Sequence, residues 1–194
     1  MKPIISFLII FLISCNSNNY SNDAEHEINE NIRKRLTDNS PSFDKVLKKY
    51  FEDYLTANNF TYDQATISSG YYKYLKYIAE NGSSGVKIRN DSLTIRIKNE
   101  LKALGLNTKK GIQNLLYESV SPVAIKYKGK LKSENSGSKL IQGIAESRLE
   151  DDLNLHLVIS GLLSDSEPTN FENAFLQNFV LLFAFVQMEL NEQS

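Results

Sequence analysis

The run Phe179-Val180-Leu181-Leu182-Phe183-Ala184-Phe185-Val186 is apolar on every side of a helix. A helix at the surface of a globular protein keeps a polar face, so one without it must be surrounded. Asn178 and Gln187 bound the run, which is far shorter than the roughly 20 apolar residues needed to cross a bilayer. Its surroundings must therefore be protein. Phe171, Phe175, Phe179, Leu182 and Val186 mark one face, and Val180, Leu181, Phe183 and Phe185 fill the others. Earlier helices of the chain are expected to wrap it; the alternative is a partner that covers what they leave open. Thr169-x-x-Glu172 has the spacing of a capping box for its start.

The segments available for wrapping carry apolar stripes at helical spacing. Ile28, Ile32 and Leu36 form a thin one. Phe43, Val46, Leu47, Tyr50, Phe51, Tyr54 and Leu55 form a broad one, opposite Lys45, Lys48, Lys49 and Glu52. Ser40 can cap this second helix, with Pro41 at its first position. Ile67, Tyr71, Tyr74, Leu75 and Ile78 make a third face, with Thr61-x-x-Gln64 as its capping box and Asn81-Gly82-Ser83-Ser84-Gly85 as its stop. Leu93, Ile97, Leu101 and Leu104 fit a helix capped by Asp91 and closed by Gly105. Val86, Ile88, Leu93, Ile95 and Ile97 also alternate as a hairpin does. A short helix from Lys109 carries Ile112, Leu115 and Leu116. Val123 to Leu131 alternates like a strand, and helices follow over Leu140, Ile141 and Ile144 and around Leu153, Leu157 and Leu162.

These patterns predict a mainly α fold: a single domain over 24–194, a compact bundle of about five to seven helices after a flexible tether. The alternative is α+β, with short hairpins near 86–97 and 123–131.

The N-terminus reads as an address. Lys2 precedes a short apolar run that ends at Leu12-Ile13-Ser14-Cys15, and Cys15 is the only cysteine in the chain. The run is too short for a membrane span and suits the core of a secretory signal peptide. The four-residue ending resembles the lipobox of bacterial lipoproteins. The resemblance implies a diacylglycerol on the Cys15 thiol, removal of residues 1–14 as signal peptide, and fatty acylation, commonly as palmitate, of the new amine. Several acyl chains hold a protein on a membrane where one binds only marginally. Residues 15–23 are polar and are expected to form the lipidated tether. The cell envelope is the expected location, with the periplasmic and outer faces both open.

The remaining chemistry is sparse. A lone cysteine excludes a disulfide framework and every multi-cysteine zinc site. The formal net charge of −1 gives no basic surface for nucleic acid. Of the two histidines, His26 lies in a polar segment, and His156 follows Asp152 by one helical turn with no second histidine nearby. No metal ligand set and no cofactor are expected. Ser-x-x-Lys occurs at Ser42–Lys45, Ser84–Lys87 and Ser136–Lys139 without the companion motifs of penicillin-recognising enzymes. Glu150-Asp151-Asp152 reads as a solvated acidic face. Val123 to Leu131 resembles the early strand of FK506-binding-type prolyl isomerases, without that family's proline-pocket aromatics downstream. Asp91-Ser92-Leu93 resembles a bacterial O-glycosylation signal, and Asp91 is equally a helix cap.

No catalytic residue is identified. Tyrosine gives contact area at low entropic cost, and Tyr72 and Tyr77 fall on the flanks of the third stripe, which makes them candidate partner-binding residues. The expected function is a membrane-anchored lipoprotein that binds another protein without enzymatic activity, of which an immunity-type protein neutralising a toxin is one form. The alternative is an envelope enzyme with a site of scattered carboxylates and tyrosines.

Overall fold

The computed structural model describes residues 19–61, 67–82, 91–131, 135–146 and 155–192. Eight α-helices and one 3-10 turn lie among the described residues. They are α1 (Asn19–Leu36), α2 (Phe43–Ala57), α3 (Ile67–Asn81), α4 (Ser92–Ala103), α5 (Lys109–Lys126), α6 (Ser136–Glu146), α7 (Leu155–Ser164), the 3-10 turn (Pro168–Glu172) and α8 (Ala174–Glu192). The mainly helical class is the one observed, and no strand occurs among the described residues. None of the described helices is long and apolar enough to cross a membrane.

α8 is the axis of the packing. It lies against α1, α2, α3, α5 and the 3-10 turn. Every residue from Phe179 to Phe185 is buried, Phe183 at 2% and Phe185 at 7% exposure, so all faces of this stretch are covered by the chain itself. α1 and α6 pack on α5, and α7 packs on α3 and α6. The stripes read from the sequence face this core: Ile28, Ile32 and Leu36 on α1, Phe43 to Leu55 on α2, Tyr71 to Ile78 on α3, and Ile97 and Leu101 on α4.

Several local expectations are corrected. The first helix begins at Asn19, inside the segment assigned to the tether, because Ser21, Ala24 and Glu25 continue the buried stripe upstream of Ile28. Ser40 and Pro41 form a turn, and α2 starts at Phe43 with Ser42 in the cap position. The helix from Lys109 does not stop near Leu116 but runs to Lys126, with Pro122 inside it. The strand and isomerase-like readings of Val123 to Leu131 fall with it. Val123 is buried and Ile125 is 74% exposed, as the last turn of an amphipathic helix requires. Thr169 and Glu172 belong to the 3-10 turn. Asn173 caps α8 instead, its Oδ1 accepting from the amides of Phe175 at 2.8 Å and Leu176 at 3.4 Å.

The region near 91–97 is helical, not a hairpin; its upstream part lies outside the described residues, as does Gln64 of the proposed capping box. Asp91 caps α4, accepting from Thr94 N at 2.8 Å and Thr94 Oγ1 at 2.9 Å. Thr94 has then donated its proton, so Tyr50 is the donor in the buried 2.9 Å Tyr50–Thr94 contact that ties α4 to α2. α4 is closed just past its end by Gly105, which takes the left-handed φ of +71 and lets Leu106 N reach back to Leu101 O at 2.7 Å.

Burying a phenylalanine contributes about 1.5–3 kcal/mol, and truncating one in a core costs about 3–5 kcal/mol. Phe179→Ala and Phe183→Ala, one turn apart on α8 and both buried, should each lower the melting temperature of the monomer by an amount comparable to that loss. Thermal unfolding followed by circular dichroism measures both. A Phe183→Ala chain with unchanged melting but altered self-association would mean that this face is an interface.

Candidate functional site

Two places in the structure combine polar chemistry with burial or shape. The first is a polar knot where three helices begin. Glu25, in the first half of α1, is only 4% exposed. Its Oε2 accepts from Asn173 Nδ2, the same side chain whose oxygen caps α8. Its Oε1 has no hydrogen-bond partner among the described residues and lies against Gly137, where a β-carbon would overlap it. Beside it, Ser21 and Ser138 share a buried hydrogen bond of 2.8 Å, and Asn135 Oδ1 caps α6 by accepting from Ser138 N at 3.0 Å.

Desolvation pushes the Glu25 carboxyl above the usual carboxylate range, against the opposing pull of the Asn173 hydrogen bond. The knot therefore holds a proton-accepting group at the meeting point of α1, α6 and α8. Glu25 is not among the residues that line the cleft described next.

That second place is a cleft of 240 Å³ between α6 and α7. Leu140, Gly143, Val158, Gly161 and Leu162 give it an apolar wall, with Ser136, Lys139 and Asp165 at one end. Lys139 Nζ meets Asp165 Oδ2 at 2.8 Å, and Ser136 Oγ donates to Asp165 O at 3.3 Å. A Ser-x-x-Lys pair that looked incidental in the sequence thus sits together at the mouth. Its lysine is bonded to Asp165 and its serine proton is donated to a carbonyl, an arrangement that braces α6 on α7. Gly143 and Gly161 both line the cleft, and a β-carbon added at either would meet no atom of the described residues within 4 Å.

The predicted partner-binding tyrosines are placed at the rim of the core and kept apart. Tyr72 meets Phe171 edge-on, with ring centroids 5.7 Å apart, and Tyr77 meets Phe60 edge-on at 5.6 Å. Both are half-buried. Cys15, Ser84–Lys87 and Glu150-Asp151-Asp152 lie outside the described residues, as does the His156 side chain. No group of three His, Cys, Asp or Glu that could hold a metal ion occurs among the described residues. Comparison with models of known protein families, with curated proteins and with solved structures finds no match.

Sequence reasoning missed Glu25 and Asn173. The signal for Glu25 was present: seven and three residues before Ile28, the buried stripe falls on Ser21 and Glu25, polar side chains at core positions.

The raised Glu25 carboxyl makes a signed prediction. In the unfolded chain it titrates near the ordinary glutamate value of about 4.3. Its contribution to stability is complete below that value and is lost as pH rises through the higher folded value. Glu25→Gln should therefore melt above the wild type at neutral pH, the gap closing as pH falls toward the unfolded value. A gap independent of pH, measured by thermal unfolding across that range, would show that Glu25 ionises freely in the folded protein.

Proposed function

We propose that this chain is a lipid-anchored bacterial envelope protein that acts by binding another protein rather than by catalysis. The observation that carries the reading is Leu12-Ile13-Ser14-Cys15, in which the only cysteine of the chain ends a short apolar run at the position the lipobox demands. A folded helical domain starts four residues later, at Asn19. The anchor is a palmitate-bearing lipid on Cys15, and the location is the cell envelope.

The α6–α7 cleft is the binding site in this reading. Glycine inside a helix costs about 0.5–1 kcal/mol relative to alanine, and Gly143 and Gly161 both stand inside helices where alanine would fit. Their effect on the molecule is an open apolar slot, with the Lys139–Asp165 pair beside it to orient what enters. A partner's apolar side chain, flanked by polar groups that meet Lys139 and Asp165, suits that lining. An immunity-type role, in which the tethered domain captures an incoming toxin at the membrane, is the specific form we favour.

Two experiments test this. Cys15→Ser should leave the precursor uncut and unlabelled by radioactive palmitate in a bacterial host; labelling that survives the change would remove the anchor. Gly161→Ala should raise stability by up to about 1 kcal/mol. Gly161→Leu should fill the slot and abolish protection of cells from the matching toxin while the helical spectrum is retained. Protection undiminished in Gly161→Leu would take the binding site out of this cleft.

A further inference from the structure

Ile125 is 74% exposed, more than either of the other exposed large apolar side chains, Leu93 and Ile95, among the described residues. It stands in the last turn of α5, after which the chain turns through Tyr127, Lys128, Gly129 and Lys130. That turn is fastened to the first turn of α1. Tyr127 packs on Tyr20 with ring centroids 6.3 Å apart, and Lys130 Nζ lies 4.9 Å from the centre of the Tyr20 ring. Lys126 is paired with Glu27 at 2.6 Å. Lys128 and Lys130 are exposed and carry no ion pair among the described residues.

This patch is close to Cys15 by covalent reach alone. Asn19 follows Cys15 by four residue steps, and an extended chain spans at most about 3.6 Å per step, so the lipid-bearing residue lies within roughly 14 Å of the start of α1. A lipid on Cys15 therefore holds Tyr20 and the turn fastened to it at headgroup height. Apolar tips, tyrosine rings and lysines are the side chains that an interface of anionic lipid accommodates: the apolar group enters the acyl boundary, the rings sit at headgroup level and the ammonium groups meet phosphates.

We propose that the end of the bundle formed by Tyr20, Ile125, Tyr127, Lys128 and Lys130 docks on the anionic phospholipid surface of the membrane that carries the anchor. The inference rests on lipidation of Cys15. A protein partner is disfavoured as occupant because the anchor presents the patch to lipid permanently, at high effective concentration.

The test uses the full lipidated chain reconstituted into vesicles. The Cys15 thiol is occupied by lipid, so Ile125→Cys supplies a unique site for an environment-sensitive fluorophore, with Ile95→Cys on α4 as the reference. Mass spectrometry first establishes the lipid on Cys15; an unmodified cysteine overturns both the anchor and the docking. On vesicles of phosphatidylcholine mixed with phosphatidylglycerol, the probe at position 125 should shift to the blue and resist quenching by acrylamide more than the probe at 95. The docked population should fall on phosphatidylcholine alone, and by on the order of fivefold for each of Lys128→Gln and Lys130→Gln. Equal quenching at both positions in a lipidated chain overturns the docking and leaves the anchor standing. Shielding at 125 that is the same in detergent without vesicles assigns the patch to a protein contact and overturns it too.

Discussion

A helix with no polar face fixes the rest of this molecule. Once the stretch from Phe179 to Phe185 is removed from water, five elements must stand around it, and their apolar stripes are then determined in direction. Apolar packing alone would leave the rotation and height of such a helix loosely defined. Polar groups at its N-terminal end set both. Asn173 caps it and reaches Glu25 on α1. Gln177 donates to Phe171 O at 2.7 Å and accepts from Lys48 of α2 at 2.9 Å, and Asn178 donates to Asn29 of α1 at 2.9 Å. A slip of α8 by one residue would break all of these while leaving the apolar area nearly unchanged, so they define register more than they add stability.

The interior is also richer in polar atoms than a helix bundle requires. Tyr54, Tyr71 and Tyr74 cluster with Phe51 and Phe60, ring edges against ring faces except for the stacked Phe51 and Tyr54, and their three hydroxyls are buried without hydrogen-bond partners among the described residues. Burial pushes all three phenols above their ordinary range, with Glu52 adding to the effect at Tyr71. An unpartnered buried hydroxyl costs about 1–3 kcal/mol, a loss that the large ring areas must offset. These phenols, on α2 and α3, and Glu25, where α1, α6 and α8 meet, place polar atoms in the interior and lower the stability available from a core of this size.

The fold class was legible because helical period survives even where a stripe is thin: Ile28, Ile32 and Leu36 are three residues, yet all three are buried. Boundaries were less legible, for identifiable reasons. The helix from Lys109 runs on past Leu116 through Pro122, which the helix carries at an exposed position. Alternation of Val123, Ile125 and Tyr127 imitated a strand, while Ile112, Leu116, Val120 and Val123 already carried the helix to its last turn. Thr169-x-x-Glu172 had the right spacing for a cap, but Asn173 stands directly before the apolar run and its shorter side chain reaches the first free amides. The site was the least legible part. The cleft is defined by what Gly143 and Gly161 lack, and absence of a side chain leaves no periodic signal. Glu25 left one, as a carboxylate in a core position, but it becomes meaningful only once Asn173, distant in sequence, is known to face it.

The start of α1 and the cleft are connected through α6. Ser21, in the first turn of α1, bonds Ser138 in the first turn of α6, and Ser136, two residues away, lines the cleft together with Lys139 and Asp165. The mouth of the cleft is thus at the same end of the bundle as the start of α1. On the reading of Cys15 as a lipid attachment, the span from lipid to helix is too short to lift that end away from the headgroups. A partner that uses the cleft must then approach along the membrane plane or be embedded in it. A toxin that acts on the membrane meets this condition, whereas a soluble partner that needs open access from the bulk does not. On that same reading, the short covalent reach from Cys15 to α1 would restrict the class of partner more than the lining of the cleft does.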